Sequence, residues 1–288
     1  MGPNFFLIGA PKCGTTSVAA WLSQHPQVFT SSVKELDYFN RDIRKSFDES
    51  EAQYFAHFAA ATAQHVAIGE ASTGYLRSAV AVRDIELRLP GSRYIVCLRN
   101  PVDMALAWYR QMLYECWEDA RDFEQAWALQ AERSQGRLLP ARCPEPDNLQ
   151  YARVCALGTQ VERVMSLVGT ARLHFVLLDD LRDRPREVWC ALQEFLGVPD
   201  DSRQHFPVMN AASDVPSALA RAIRIVSDFK RRTGIGFGFG ILNVLRQRLA
   251  KPHRDMMAPA TRAMLREHFL PEIEKLQRCT GRDLSNWH

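Results

Sequence analysis

The 288-residue chain lacks the features that define several large protein classes. No apolar run reaches the roughly 18 residues that a membrane-spanning helix requires. Asn4-Phe5-Phe6-Leu7-Ile8 passes into a glycine turn with no basic region or cleavage site of the kind a secretory leader carries, so a soluble chain with no membrane span is expected. An excess of one charge is also missing: 36 basic against 33 acidic residues leave a formal +3, which gives no ground for nucleic-acid binding but leaves room for a local basic site for an anion. The seven cysteines (Cys13, Cys97, Cys116, Cys143, Cys155, Cys190 and Cys279) form no C-x-x-C pair, and the histidines show no H-x-x-x-H spacing. Both a disulfide framework and a structural metal are thereby disfavoured, and a reducing cytoplasm is the expected compartment.

What remains is an alternation of strand-like and helix-like segments. Asn4–Ile8, Val66–Gly69, Arg93–Leu98 and Leu173–Leu178 are short apolar runs rich in branched or aromatic residues, the pattern of strands buried on both faces. Helical periodicity marks Ser17–His25, Pro101–Glu118, Pro185–Leu196 and Pro259–Cys279, the third closed by Gly197 and followed by Pro199. The alternation predicts an α/β fold with a P-loop-like central parallel sheet flanked by helices on both faces, in a single domain with its core at about 4–200 and a helical, loop-rich part at about 201–288. Gly136–Asn148, with three prolines, reads as a surface loop. Thr233–Gly240, where glycines alternate with Ile235, Phe237 and Phe239, reads either as a mobile loop near a ligand or as a turn over an apolar patch.

The strongest chemical signal is Gly9-Ala10-Pro11-Lys12-Cys13-Gly14-Thr15-Thr16-Ser17, set between a strand and a helix. Such a loop turns the backbone N–H groups around Lys12, Cys13 and Gly14 toward one point, and the helix start adds its unpaired N–H groups and the hydroxyls of Thr15, Thr16 and Ser17. The triphosphatase form G-x-x-x-x-G-K-[ST] would require lysine where Thr15 stands; the lysine is instead Lys12, and no acidic set for magnesium is evident, so no metal is expected. Downstream, Arg99 ends a strand pattern, and Asn100-Pro101 makes a good helix start. That puts a guanidinium at the carboxyl end of a parallel strand, where open α/β sheets bind ligands and where a bidentate phosphate contact is natural.

Pro11-Lys12-Cys13-Gly14-Thr15-Thr16 resembles the 5'-phosphosulfate loop of sulfotransferases that use 3'-phosphoadenosine 5'-phosphosulfate (PAPS), in the branch of the heparan sulfate sulfotransferases and their bacterial relatives. Lys34-Glu35-Leu36-Asp37-Tyr38-Phe39, Gly69-Glu70-Ala71-Ser72 and Leu98-Arg99-Asn100-Pro101-Val102-Asp103 resemble further segments of that branch, and similarity continues through Leu173–Val198, covering most of residues 4–200. The resemblance implies PAPS as co-substrate, with Lys12 at the leaving oxygen, Gly14, Thr15 and Thr16 on the 5'-phosphate, Arg99 on the 3'-phosphate and Glu35 as general base. It also implies a carbohydrate or small-molecule acceptor, with Asp37, Tyr38 and Glu70 as candidates to line its site; Trp108, beside the expected phosphate site but off the apolar face of its helix, reads either as a further lining residue or as a partly covered surface tryptophan. Glu70, at the end of its strand, is a second candidate base.

Departures from the family pattern are specific. Met104 stands where the 3'-phosphate motif has a second arginine, Ala107 where it has serine, and Ala71 where a lysine often follows the glutamate. Loss of the serine hydroxyl removes a donor worth roughly 0.5–1.5 kcal/mol. Two other readings stay open on the residues alone: a P-loop kinase or triphosphatase, and a non-catalytic nucleotide-binding module on the same fold. Oligomeric state is not legible.

Overall fold

The computed structural model describes residues 1–44, 49–207, 209 and 257–287. Five strands, β1 (Phe5–Gly9), β2 (Val28–Thr30), β3 (Ala67–Ala71), β4 (Arg93–Leu98) and β5 (Leu173–Leu177), form one sheet in the order β2-β3-β1-β4-β5. Each adjacent pair is parallel, with Phe5 in register with Gly69 on one side and Arg93 on the other. Every residue of β1 and β3 is buried, as is all of β4 after Arg93. This is why those runs carry apolar residues without alternation: helices surround the sheet and leave these strands no solvent face. The α/β fold expected from the sequence is present.

The expected strands differ from the observed ones by a residue or two at their ends, with one consequence. Val66 is exposed and the strand runs Ala67–Ala71, so Glu70 lies inside the strand instead of just beyond it. The three-residue β2 had no signal in the sequence, because a half-buried edge strand needs no continuous apolar run.

Helix boundaries follow their local chemistry. Asn100 Oδ1 accepts the Val102 N–H at 2.9 Å, so asparagine caps the helix Pro101–Tyr114, whose first residue is proline. Helix Pro185–Leu196 ends at Gly197 in the left-handed region (φ 72°), a conformation that glycine adopts without steric cost. Helix Pro259–Thr280 buries Leu265, Phe269, Ile273 and Leu276, one stripe at helical spacing, and its Glu272 accepts both the N–H and the hydroxyl of Thr159 at 2.7 Å. None of the helices among the described residues is long and apolar enough to cross a membrane.

The chain divides into two compact units: 1–104 with 152–209 and 264–288, and 105–151 with 210–263. The first holds the whole sheet. In the described part of the second, Tyr109, Phe123 and Tyr151 pack edge to face with centroids 5.7–6.2 Å apart. Beside them the fully buried Arg133 grips Glu118 in a two-pronged ion pair of 2.6 and 2.7 Å. The segment Thr233–Gly240 lies outside the described residues.

Candidate active site

Because β1 has β3 on one side and β4 on the other, the chain segments that leave these three strands emerge side by side at one end of the sheet. Such a switch in strand order opens a crevice in doubly wound sheets. The segment after β1 is the phosphate loop. Gly9 (φ 143°) and Gly14 (φ 88°) hold conformations that suit glycine, and a Cβ on Gly14 would come within 2.7 Å of Leu181 Cδ1, so the loop lies hard against its neighbours. Gly14 caps helix Thr15–Leu22 with no side-chain hydrogen bond, and the first turn contains no acidic residue. The first N–H groups of that helix and the positive end of its dipole are therefore available to an anion. Lys12 is exposed and sits in the left-handed region (φ 63°). Ser17 is buried, and its Oγ accepts the Met209 N–H at 3.0 Å.

Arg99 follows β4 and donates from Nη1 to the Lys12 carbonyl at 3.4 Å, which links the two expected phosphate contacts physically. Between them lies an apolar floor. Cys13 is fully buried, with Sγ 3.4 Å from the Pro11 carbonyl and 3.8 Å from Met104 Sδ. Burial pushes its thiol up to about 12 against the opposing charges of Arg99 and Lys12. Met104, where the family pattern has arginine, is itself wholly buried against this sulfur. A guanidinium at that spot would need its charge satisfied in an apolar site, so this floor is built for a thioether. Cys97 and Cys155 are also fully buried with thiols pushed up by desolvation, which makes them poor nucleophiles.

The segment after β2 carries Lys34 and Glu35 to the same edge. Glu35 and Asp37 both take left-handed backbone (φ 59° and 55°), unusual for these residues, and the Glu35 N–H is tied to the Ala71 carbonyl at 2.8 Å. The Glu35 carboxylate accepts the Thr73 N–H at 2.7 Å and the Thr73 hydroxyl at 3.1 Å, and it pairs with Lys34 Nζ at 3.0 Å. Lys34 Nζ also donates to Thr16 Oγ1 at 3.3 Å, joining the carboxylate to the first turn of the phosphate-loop helix. Thr73 and Lys34 were not singled out from the sequence; a hydroxyl just after a strand and a lysine beside the candidate base are signals that only partners in space make specific.

Other candidates take different positions. Asp37 is bound by Asn40 Nδ2 at 2.8 Å and Arg44 Nη1 at 3.4 Å, and its charge is felt at Glu70. Tyr38, offered to an acceptor by the sequence reading, is 3% exposed and stacks on Tyr54 with centroids 4.4 Å apart. Glu70 lies at the expected edge but is 2% exposed, its oxygens taken by the hydroxyls of Tyr54, Tyr75 and Ser72 at 2.6–2.9 Å. Burial pushes its carboxyl up to about 7, the three hydrogen bonds acting against the shift and Asp37 adding to it. Ala107 and Trp108 lie on helix Pro101–Tyr114 in the second unit, where Trp108 Nε1 donates to the Asn148 carbonyl at 2.8 Å. His25 and His174 are engaged structurally: His25 Nε2 contacts the Pro199 carbonyl at 3.0 Å, and burial lowers His174 to about 4.

Comparison with known proteins agrees with this geometry. A sulfotransferase-domain family model matches residues 2–217. The membrane-associated sulfotransferase kil1 of Dictyostelium discoideum is 34% identical over 107 residues, 37% of this chain and 22% of that protein. The human bifunctional heparan sulfate N-deacetylase/N-sulfotransferase 2 is 27% identical over 206 residues, 68% of this chain and 22% of the relative. The chain thus aligns with less than a quarter of the length of these relatives. The crystal structure of a sulfotransferase from Alicyclobacillus acidocaldarius superposes with a TM-score of 0.74 at 24% identity, covering 100% of this chain and 99% of the other, and shares the fold. With three quarters of its length matched by the family model and its loop, strand order and edge residues arranged as described, the chain belongs to the sulfotransferase-domain family.

Proposed function

We propose that the protein transfers a sulfuryl group from PAPS to a hydroxyl or amine of a carbohydrate or small-molecule acceptor. The observation that carries this reading is the convergence, at one end of the sheet, of an uncapped helix start, Lys12, Arg99 and an oriented Glu35. PAPS fits that donor set: its 5'-phosphate matches the free N–H groups of the helix start with Thr15 and Thr16, and its 3'-phosphate matches Arg99. Cys13 contributes backbone to the cradle, while its buried thiol stays out of the chemistry. Ser17, in the first turn of the loop's helix, would flank the nucleotide.

PAPS supplies an activated sulfuryl group; the chain supplies position and charge. Lys12 neutralises charge growing on the phosphate oxygen as its bond to sulfur breaks. Glu35 takes the acceptor's proton as the new bond to sulfur forms, and the Thr73 hydrogen bonds hold the carboxylate for that task. Lys34, bonded to both Glu35 and Thr16, keeps base and donor loop in fixed relation. No step requires a metal. The carbohydrate preference rests on the heparan sulfate for which several relatives are named. The free thiols are compatible with a cytoplasmic setting, and the whole chain acts as one catalytic domain in this reading.

Calorimetric titration with 3'-phosphoadenosine 5'-phosphate, ADP and Mg-ATP tests the donor. Binding of the bisphosphate alone is expected. Arg99→Ala weakens it by roughly tenfold or more, the scale of a lost charge-assisted hydrogen bond. Lys12→Ala and Glu35→Ala each abolish most turnover with synthetic acceptors. Preference for Mg-ATP would instead make the protein a kinase or triphosphatase, and binding without turnover a nucleotide-binding module.

A further inference from the structure

Glu70 has no direct part in the mechanism above, yet it sits at the centre of the hydrogen bonds that shape the site. Its Oε1 accepts the Tyr54 hydroxyl at 2.8 Å and the Tyr75 hydroxyl at 2.9 Å, and its Oε2 accepts the Ser72 hydroxyl at 2.6 Å. A hydroxyl has one proton, and an ionised carboxylate only accepts, so the direction of all three bonds is fixed. The oxygens of Ser72 and Tyr75 are then left with their lone pairs outward. Those lone pairs receive main-chain donors: Asp37 N–H on Ser72 Oγ at 3.0 Å, Tyr38 N–H on the Tyr75 oxygen at 3.0 Å, and Phe39 N–H on the same oxygen at 3.4 Å. Tyr54, the third hydroxyl, stacks its ring on Tyr38 and meets Phe39 edge to face at 5.2 Å. Every bond from Glu70 therefore leads, within one residue, to the segment that carries Glu35.

We propose that Glu70 is a positioning residue: an acceptor-only carboxylate that orients the Ser72 and Tyr75 hydroxyls so that their oxygens dock the backbone of Asp37, Tyr38 and Phe39, and thereby hold the left-handed turn that presents Glu35. The physical reason is complementarity of sign. The docked segment offers N–H donors, the strand edge must offer acceptors, and hydroxyls become reliable acceptors only when something buried takes their protons. Two residues with positive φ need such fixing, because each would otherwise relax toward ordinary backbone. Only the effect on turnover rests on Glu35 being the base; the docking does not.

A group that acts by accepting loses that capacity on protonation. The groups facing Glu70 are the hydroxyls of Tyr54, Tyr75 and Ser72, and the charge acting on it is that of Asp37, which disfavours ionisation further. With the carboxyl placed near neutrality, acidification gives it a proton that has only hydroxyl oxygens to go to, and the docking pattern reverses at one of them.

Glu70→Gln keeps the shape but turns one oxygen into a donor. Amide hydrogen exchange resolved at residues 35–39, corrected for intrinsic pH dependence, is measured on the whole chain at pH 8 and pH 6, beside titration with 3'-phosphoadenosine 5'-phosphate and turnover kinetics. In the variant at pH 8 we expect protection of the 37–39 amides to fall roughly tenfold, the scale of one lost buried hydrogen bond, with protection in β1 and β4 unchanged. The wild type should lose the same protection between pH 8 and pH 6, and the variant should not respond. Donor-product affinity should stay within about twofold while kcat drops roughly tenfold, because the base and not the nucleotide site is misplaced. Should Glu70→Gln fail to fold, Tyr75→Phe, which keeps the ring but removes the docking oxygen, must lose protection at Tyr38 and Phe39. Unchanged protection in the folded variants, or lost turnover with protection intact, overturns the positioning role. A wild type that neither binds the bisphosphate nor turns over overturns the sulfotransferase reading and leaves the exchange result to be judged by itself.

Discussion

Two buried carboxylates, one in each compact unit, are solved in opposite ways. Glu118 is clasped by the Arg133 guanidinium, receives the Tyr151 hydroxyl at 2.6 Å and accepts the N–H groups of Asp119 and Ala120 at 2.8 and 2.7 Å. Desolvation works to raise its pKa, but the arginine bonds, the tyrosine and the backbone outweigh it and leave the group below its ordinary value. Glu70 is just as hidden and receives three side-chain hydroxyls, but its partners are neutral, and desolvation wins. A guanidinium makes a buried carboxylate a permanent charge suited to fastening loops. Hydroxyls alone leave it close to its titration point, suited to a place where direction of hydrogen bonding matters more than strength.

The largest way to break this contrast is to take the cation from Glu118. Arg133→Leu should cost about 3–5 kcal/mol in urea unfolding, the penalty of an uncompensated buried charge, and adding Glu118→Gln should recover part of it. The next tests the sign of the pH dependence. Glu70's folded pKa is raised from 4.5 to about 7, so its contribution to stability is full below about 4.5 and is lost as pH rises through about 7, a change of about 3 kcal/mol. Glu118, with its pKa lowered, contributes stability above its ordinary value that is lost only as pH falls through the lower folded one. Urea unfolding from pH 5 to pH 8 should therefore show a downward slope in the wild type that Glu70→Gln flattens and Glu118→Gln does not. The smallest effect sharpens the comparison further. Tyr54→Phe removes one of Glu70's three donors, should cost about 1–2 kcal/mol, and should move the Glu70 titration to higher pH in a carboxyl-detected NMR experiment.

How far such features can be read in advance depends on whether their cause is local. Helix Pro185–Leu196 was legible to the residue, because proline at its start and glycine at its end are local instructions. The phosphate loop and Arg99 were legible for a similar reason: strand, turn and helix start are contiguous, and the loop's chemistry is written in nine consecutive residues. The candidate base Glu35 came from resemblance, but its orientation did not, since Thr73 lies 38 residues away and reaches it only because β3 lies next to β2. Glu70 shows the limit most clearly. From the sequence it was a polar residue at a strand's end; its burial depends on Tyr54, from a helix sixteen residues upstream, and on the two-residue difference in where the strand stops. The partnership of Glu118, Arg133 and Tyr151 spans 33 residues with no motif at all.

The sulfur floor beneath the phosphate loop has a practical consequence. With its thiol sealed from solvent and held protonated until about pH 12, Cys13 can meet an alkylating reagent only when the loop swings open, so its labelling rate in the native protein is a clock for that opening. A ligand that bridges Lys12 and Arg99 would slow the clock, giving an acceptor-independent assay of donor occupancy from a residue the chain already carries.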